Sequence, residues 1–241
     1  MRCGAFAIAL GSLMAISAAT SAQARTVAAA QASGTGNAAV YVVSYIEVVP
    51  GSERAVIALL GQYRDAARKE SGNLRLEVLQ QSGRPDHFAI LETWKDQKVF
   101  EAHAMAIRTT QFRDTLQPFR ASPYDERLHG PLAIGSMPVP RTDGATYVLT
   151  HADAAGGGPA RDEAIALLKG LADASRRDAG NVDFEVLQQS GRLNHATIVE
   201  TWKDQKAFEA HRTAAHTRQF REKFQPLSGA LYDERLYKSL E

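Results

Sequence analysis

Two periods of apolar residues alternate along the chain from about residue 40 onward. Residues 40–48 are β-branched and aromatic and end at a Pro-Gly pair, which is typical of a strand that stops at a turn. Residues 74–81 and 87–94 alternate on either side of a turn that contains Gly and Pro, which predicts a β-hairpin. Between the first strand and the hairpin, apolar residues recur at helical spacing and predict a helix that ends near Gly72: Val56, Leu59, Leu60, Tyr63 and Ala67.

The segment after the hairpin completes a small α+β unit. A helical region is predicted over residues 96–116, and a short last strand over residues 124–128. The order β-α-β-β-α-β is that of a ferredoxin-like unit. Its sheet carries helices on one face only, so the opposite face must be buried against another structure.

The chain contains this unit twice. Residues 72–84 recur at residues 180–192 with three substitutions, at an offset of 108 residues. A period of this length exceeds the roughly 20 to 50 residues of solenoid repeats, so each copy is a domain. We therefore predict one domain over residues 39–129 and a second over residues 147–241, joined by a linker rich in Gly and Pro over residues 130–146.

The second copy is the simplest partner for the bare face of the first sheet. We therefore predict an α+β fold in which two ferredoxin-like domains pack sheet to sheet as an intramolecular barrel. A further homodimer of such pairs is left open by the sequence.

The first 24 residues differ in kind from the rest of the chain. Arg2 precedes an apolar run, and Ala22-Gln23-Ala24 has the small-residue spacing of a cleavage site, so residues 1–24 are predicted to be a signal peptide removed after Ala24. Residues 25–38 are predicted to be a flexible N-terminus, and the mature protein is expected to be periplasmic or secreted. No later segment is long and apolar enough to predict a membrane span.

The charge and the cysteine content of the chain limit which binding partners and which kinds of stabilisation are expected. Removing the leader takes one arginine from the 28 basic residues, which balances the charge against the 27 acidic residues. A neutral chain without basic runs argues against binding to nucleic acid. The only cysteine lies in the leader, so the mature domains are expected to be stabilised by burial rather than by disulfides.

An ordered set of residues in each copy resembles the antibiotic biosynthesis monooxygenase (ABM) family of the dimeric α+β barrel superfamily. In the first copy the set is Gly72-Asn73, Glu92-x-Trp94, the run from Phe100 to His103, and Gln111-Phe112, and it recurs in the second copy. The resemblance implies a pocket between sheet and helices for a small planar organic molecule. In the monooxygenase members it also implies chemistry with dioxygen and without cofactor, metal or flavin.

His103 and His211 follow the tryptophans at equivalent positions and are the candidate catalytic bases. A base could take a proton from a phenolic or quinol hydroxyl and leave an electron-rich anion for dioxygen. The alternative is that each histidine only caps the helix or fills the pocket wall. Trp94 and Trp202 could stack on a planar substrate, or they could be ordinary core residues.

Other polar residues are candidate substrate contacts. Asn73 and Asn181 could orient a ligand oxygen, although satisfying turn backbone is the favoured role. Glu92 and Glu200 would lie on the face that carries the tryptophans, and Glu92 would be the cross-strand neighbour of Glu77 if paired residue numbers sum to 169. A one-residue change of register would place these two carboxylates on opposite faces.

No motif with metal-ligand spacing is present, so no metal site is predicted. His211 and His216 are five residues apart, which on a continuous helix turns them about 140° from each other. They could converge only if the helix breaks between them. His216 is nevertheless a candidate pocket residue, because the aligned residue of the first copy is Arg108.

Three functions follow from these observations. The first is a cofactor-independent monooxygenase that oxidises a quinol-like or polyphenolic small molecule with dioxygen. The second is a non-catalytic module that binds or senses a small molecule in the same pocket. The third, haem binding, is disfavoured because no histidine stands out as an axial ligand.

Overall fold

The alternating apolar segments of the first copy form strands, and the helically spaced segments form helices. The computed structural model describes residues 38–137 and 143–241; the predicted leader and residues 25–37 lie outside this range. The elements of the first copy are β1 (Val40–Glu47), α1 (Glu53–Ala67), β2 (Asn73–Gln81), β3 (His87–Trp94), α2 (Gln97–Ala104), α3 (Ile107–Leu116) and β4 (Asp125–Ala133).

The second copy repeats the same order. Its elements are β5 (Thr146–Asp153), α4 (Pro159–Ser175), β6 (Asn181–Gln189), β7 (His195–Trp202), α5 (Gln205–Arg212), α6 (Ala215–Phe224) and β8 (Asp233–Ser239). Each copy is therefore the β-α-β-β-α-β unit that the sequence predicts, apart from a break in its second helical region. Within the described ranges, every helix is too short or too polar to cross a bilayer.

The break divides each second helical region into two helices. Asp96 caps the start of α2, where its carboxylate accepts the backbone N–H of Val99 at 2.9 Å. The chain then leaves helical geometry: Ala106 has an extended backbone, and the next helix begins at Ile107. The second copy has the same cap at Asp204 and the same extended residue at Ala214. The helical region predicted over residues 96–116 thus consists of two helices.

The eight strands form one closed antiparallel barrel. Their order is β1-β3-β2-β8-β5-β7-β6-β4, which closes through the pairing of β1 with β4. The two sheets meet at their edges, where β2 pairs with β8 and β4 pairs with β6. The predicted intramolecular barrel is confirmed. Residues 130–133 of the predicted linker belong to β4, because they supply part of its pairing with β6.

Alternation along the strands separates three apolar cores. Residues on one face of each sheet pack under the helices of their own copy. Residues on the other face, from both copies, fill the barrel together: Tyr41, Val43, Leu79, Ala89, Leu91, Ala145, Tyr147, Leu149, Leu187, Val199 and Tyr237. This shared interior is the physical reason why neither sheet is left with a bare apolar face.

The hairpin register decides which carboxylates face the helices. In the first copy Glu77 pairs with Leu91 and Glu92 pairs with Leu76, so paired residue numbers sum to 168. The predicted pairing of Glu77 with Glu92 is therefore wrong, and the two carboxylates lie on opposite faces. Glu185 and Glu200 are separated in the same way.

A buried polar cluster lies among the apolar residues of the barrel interior. The Arg75 guanidinium is 2.9 Å from Glu185, 3.2 Å from Glu77 and 3.5 Å from Asp183. Burial raises the pKa of Asp183 to about 7, and it also raises the pKa of Glu185. One cation therefore faces three carboxylates, and Arg75 and Asp183 occupy the same position of the two copies.

Candidate functional site

The first site lies between the sheet and the helices of the first copy. Glu92 and Trp94 are alternate residues of β3, so both project toward the helices, and Trp94 Nε1 donates to Glu92 Oε2 at 2.8 Å. His103, on the last turn of α2, stacks on Trp94 with ring centroids 4.2 Å apart. The strand and the helix thus bring together the three residues that the sequence singles out.

Tyr63 of α1 joins this group. Its hydroxyl is 2.8 Å from His103 Nε2 and 3.1 Å from Glu92 Oε1, and its ring stacks on Phe112. Burial raises the pKa of Glu92 above its ordinary value and raises that of Tyr63 well above its ordinary value. The tyrosine hydroxyl therefore stays protonated at neutral pH.

The other nitrogen of His103 is held by a carboxylate. Nδ1 lies 2.9 Å from Glu70 Oε2, in the turn after α1. When Nδ1–H donates to this carboxylate, Nε2 of the neutral ring can accept the single phenolic hydrogen in place of Glu92 Oε1, the other acceptor within reach. A base oriented by a carboxylate and aimed at a hydroxyl is an arrangement that can move a proton.

A groove on the helix side leads to this group. It has a volume of about 220 Å³ and lies between α1 and α3, with Tyr63, Arg108 and Phe112 among its lining residues. His103 and Trp94 lie behind Tyr63, with 3% and 0% of their surfaces exposed. Tyr63 therefore separates the groove from the buried histidine.

The second site keeps the tryptophan and the glutamate but loses the tyrosine. Trp202 Nε1 donates to Glu200 Oε2 at 2.8 Å, and its ring stacks on His211 at 4.6 Å. Leu171 occupies the position of Tyr63, so His211 Nε2 faces Glu200 Oε2 at 3.8 Å without a phenol between them. Burial raises the pKa of Glu200 to about 8 and lowers that of His211.

His211 and His216 converge on one carboxylate. Asp178 Oδ2 lies 2.8 Å from His211 Nδ1 and 3.2 Å from His216 Nε2. From the sequence, the two histidines could converge only if the helix breaks between them. The structure has this break, between α5 and α6. In the first copy Arg108 takes the place of His216, and its Nε is 3.9 Å from Glu70.

The remaining predicted residues lie apart from the histidines' reacting atoms. Asn73 Nδ2 donates to the carbonyl of Arg75 at 3.3 Å, and Asn181 does the same to Asp183 at 3.2 Å. Each asparagine thus satisfies backbone at a β-bulge, the role that the sequence favours. His195, at the start of β7, is buried beside Asp153, where it lines a cavity of about 790 Å³.

Three residues of the two sites were not predicted from the sequence: Tyr63, Glu70 and Asp178. Tyr63 fits the apolar stripe of α1, and nothing in that stripe shows that its hydroxyl meets a histidine. Glu70 and Asp178 each precede their histidine by 33 residues. The available signal was an acid at the same position of both copies, in a turn that begins with a shared arginine and ends with a shared glycine.

Comparisons with known proteins agree with this architecture. The sequence model of the family described as antibiotic biosynthesis monooxygenase matches residues 39–115 and 158–223. The candidate monooxygenase YcnE of Bacillus subtilis (strain 168) is 30% identical over 73 residues, which cover 30% of this chain and 77% of that protein.

Solved structures share the fold across both copies. A candidate monooxygenase from Fusobacterium nucleatum subsp. nucleatum superposes with a TM-score of 0.77 at 15% identity, covering 86% of this chain and 94% of that one. A second, from Lactobacillus acidophilus NCFM, gives 0.71 at 11% identity, covering 85% and 95%. An anthrone oxidase-like protein gives 0.66 at 14% identity, covering 84% and 92%. The family match extends over more than half of the chain and falls in both copies, so the chain belongs to the antibiotic biosynthesis monooxygenase family.

Proposed function

We infer that this chain is a cofactor-independent monooxygenase that oxidises a quinol-like or polyphenolic molecule with dioxygen in its first copy. The observation that carries the proposal is His103, which is held by Glu70 on one nitrogen and meets a phenolic hydroxyl on the other. Family membership and the stacked Trp94 support it. The predicted leader places the reaction outside the cytoplasm in this proposal.

The Tyr63 phenol marks where a substrate hydroxyl would bind. A phenolic substrate enters along the groove between α1 and α3, moves Tyr63 aside and presents its own hydroxyl to His103 Nε2. The proton passes to Nε2, and the Glu70 carboxylate stabilises the imidazolium that forms. Glu92, already a partner of the Tyr63 hydroxyl, then contacts the substrate oxygen.

The substrate itself supplies the electrons in this reaction. Loss of the proton gives an electron-rich anion that reduces dioxygen. One oxygen atom forms a new bond to ring carbon, and the other leaves as water. A quinol and one dioxygen thereby give a hydroxyquinone and one water, so no external reductant is needed.

The second copy is a matched internal control. His211 aligns with His103, but Leu171 stands where Tyr63 would be, and the phenol contact at Nε2 is absent from this described site. We therefore assign proton abstraction to the first copy. His103→Ala should lower turnover by about 10² to 10⁴-fold, the usual worth of a general base, whereas His211→Ala should leave turnover within a few-fold of wild type.

Oxygen consumption by tag-free, metal-stripped mature protein, measured with a panel of quinols, tests this assignment. Thermal unfolding of both variants separates loss of a base from loss of folding. If His103→Ala folds and turns over as fast as wild type, His103 is not the base. If wild type consumes no oxygen above a denatured control with any quinol, the monooxygenase proposal fails.

A binding module is the second candidate, and one observation favours it. Trp94 and Glu92 are buried and hydrogen-bonded to each other, which is expected of a pocket wall that binds a molecule without reacting with it. In that case quinols would quench tryptophan fluorescence without oxygen uptake. Saturable quenching with no turnover would select the binding module over the enzyme.

A further inference from the structure

A second kind of site is built around the histidine of the second copy. α5 ends at Arg212 and α6 begins at Ala215, and this break turns His216 back toward His211. Asp178, in the turn after α4, lies between the two rings. One ligand atom from each of the three residues lies within 4.8 Å of the other two.

The spacing of these atoms fits coordination to one small cation. The 2.8 Å and 3.2 Å separations between the carboxylate oxygen and the two nitrogens are those of neighbouring ligands on an ion that each reaches at about 2.0 to 2.2 Å. His216 Nε2 is buried and makes no well-directed hydrogen bond among the described residues, although it faces Asp178. A metal ion would satisfy this nitrogen.

Residues around the histidine support the same role. The Nε2 atom of His211 faces Glu200 Oε2 at 3.8 Å, and Trp202 both donates to Glu200 and stacks on the imidazole ring. The stacked indole therefore holds the orientation of the imidazole ring, and Glu200 lies on the side of the ring away from Asp178. Asp178 and His216 are partly exposed, so the cluster lies close to the protein surface.

The first copy shows what the second has changed. There Glu70 also contacts His103 Nδ1, at 2.9 Å, but the third position holds the guanidinium of Arg108. That site carries its own fixed cation next to the carboxylate. In the second copy an imidazole replaces the guanidinium, so the carboxylate faces two nitrogen ligands instead of a positive charge.

We propose that Asp178 Oδ2, His211 Nδ1 and His216 Nε2 bind one divalent first-row transition-metal ion, with Zn²⁺ as the probe. Two imidazoles and one carboxylate suit such ions, and Ca²⁺ and Mg²⁺ prefer ligand sets made of oxygen. Three protein ligands leave at least one coordination position for water. The site is separate from His103, and its test uses no substrate, so it stands or falls independently of the monooxygenase.

Calorimetric titration of Zn²⁺ into tag-free, chelator-treated protein is the test. Wild type should bind one ion per chain. Loss of an outer partner already weakens metal binding by about 10- to 100-fold, so His216→Arg and Asp178→Asn should each weaken it by at least about 100-fold. Bound Zn²⁺ should also raise the unfolding temperature of wild type and leave that of His216→Arg unchanged.

A second cluster supplies the control. Glu47, Asp86 and His87 also lie close together, with a single imidazole among them. His87→Ala should bind Zn²⁺ as wild type does. The proposal is overturned if wild type binds no Zn²⁺, if a folded His216→Arg variant binds it with wild-type affinity, or if His87→Ala is the substitution that removes binding.

Discussion

Replacement of Asp183 by asparagine should stabilise the protein at alkaline pH, because this carboxylate is buried with too little positive charge around it. The Arg75 guanidinium makes its shorter contacts with Glu185 and Glu77 and lies 3.5 Å from Asp183. Burial raises the pKa of Asp183 from 3.8 to about 7. A difference of this size corresponds to at most ~4 kcal/mol of unfavourable ionisation in the folded state.

The direction of the pH dependence follows from the raised pKa. An acid whose pKa is higher in the folded chain than in the unfolded chain holds its proton more tightly when folded. Its ionisation therefore lowers the free energy of unfolding as the pH rises from about 4 to about 7. Asp183→Asn removes this loss, so its advantage over wild type should be greatest at pH 8 and should shrink toward pH 4.

Urea unfolding at several pH values, followed by the fluorescence of Trp94 and Trp202, measures the effect. At pH 8 the free energy of unfolding of Asp183→Asn should exceed that of wild type by about 1 to 4 kcal/mol. The range is wide because Glu185 contacts the same guanidinium, so the ionisation of the two carboxylates is coupled. Asp173→Asn is the control. Asp173 is exposed beside Arg176, and its loss should change stability by less than about 0.5 kcal/mol.

A destabilised variant would refute this reasoning. If Asp183→Asn lowers the free energy of unfolding at pH 8 by more than about 1 kcal/mol with an unchanged denaturant slope, the contact with Arg75 outweighs the cost of burial. Arg75→Met gives the converse expectation. It leaves three carboxylates without their cation and should cost about 3 to 5 kcal/mol.

Three further outcomes are expected. Gly180→Ala should lower stability by about 1 to 3 kcal/mol in urea, because φ is +86° there and a Cβ would lie 2.7 Å from that of Ala207; Gly51→Ala, at φ +92° in open space, should lose less, and equal losses would remove the steric argument. Mass spectrometry of protein exported by the producing cell should find Arg25 at the N-terminus, and an intact leader on that protein would contradict the cleavage prediction. Residues 39–137 expressed alone should dimerise or aggregate, whereas a soluble, cooperatively folding monomer by sedimentation would show that one sheet is stable with its inner face bare.

The strands and the duplication could be predicted because they are written in local patterns. The alternation over residues 87–94 gives the bounds of β3 as the structure has them. Recurrence at an offset of 108 residues then requires two equivalent domains. The inward faces of both sheets are apolar enough that their mutual burial follows from the hydrophobic effect alone.

The register and the helix breaks could not be predicted in the same way. A shift of one residue in the hairpin moves Glu77 from beside Glu92 to the opposite face, and both registers preserve the alternation of apolar residues. The break before α6 falls at Thr213-Ala214, without Gly or Pro to signal it. Tertiary packing determines both features, and both decide which side chains of the candidate sites meet.

Arg75 and Asp183 also make the two halves of the barrel unequal partners. In a symmetric dimer of two identical domains, every interface residue occurs twice, once from each domain. Two first copies would bring two arginines together with two residues equivalent to Glu77, a balanced set. Two second copies would bring together four carboxylates from Asp183 and Glu185 without the Arg75 guanidinium that contacts both residues here. In this chain the buried carboxylates of the second half therefore lie against a positive charge that the first half supplies.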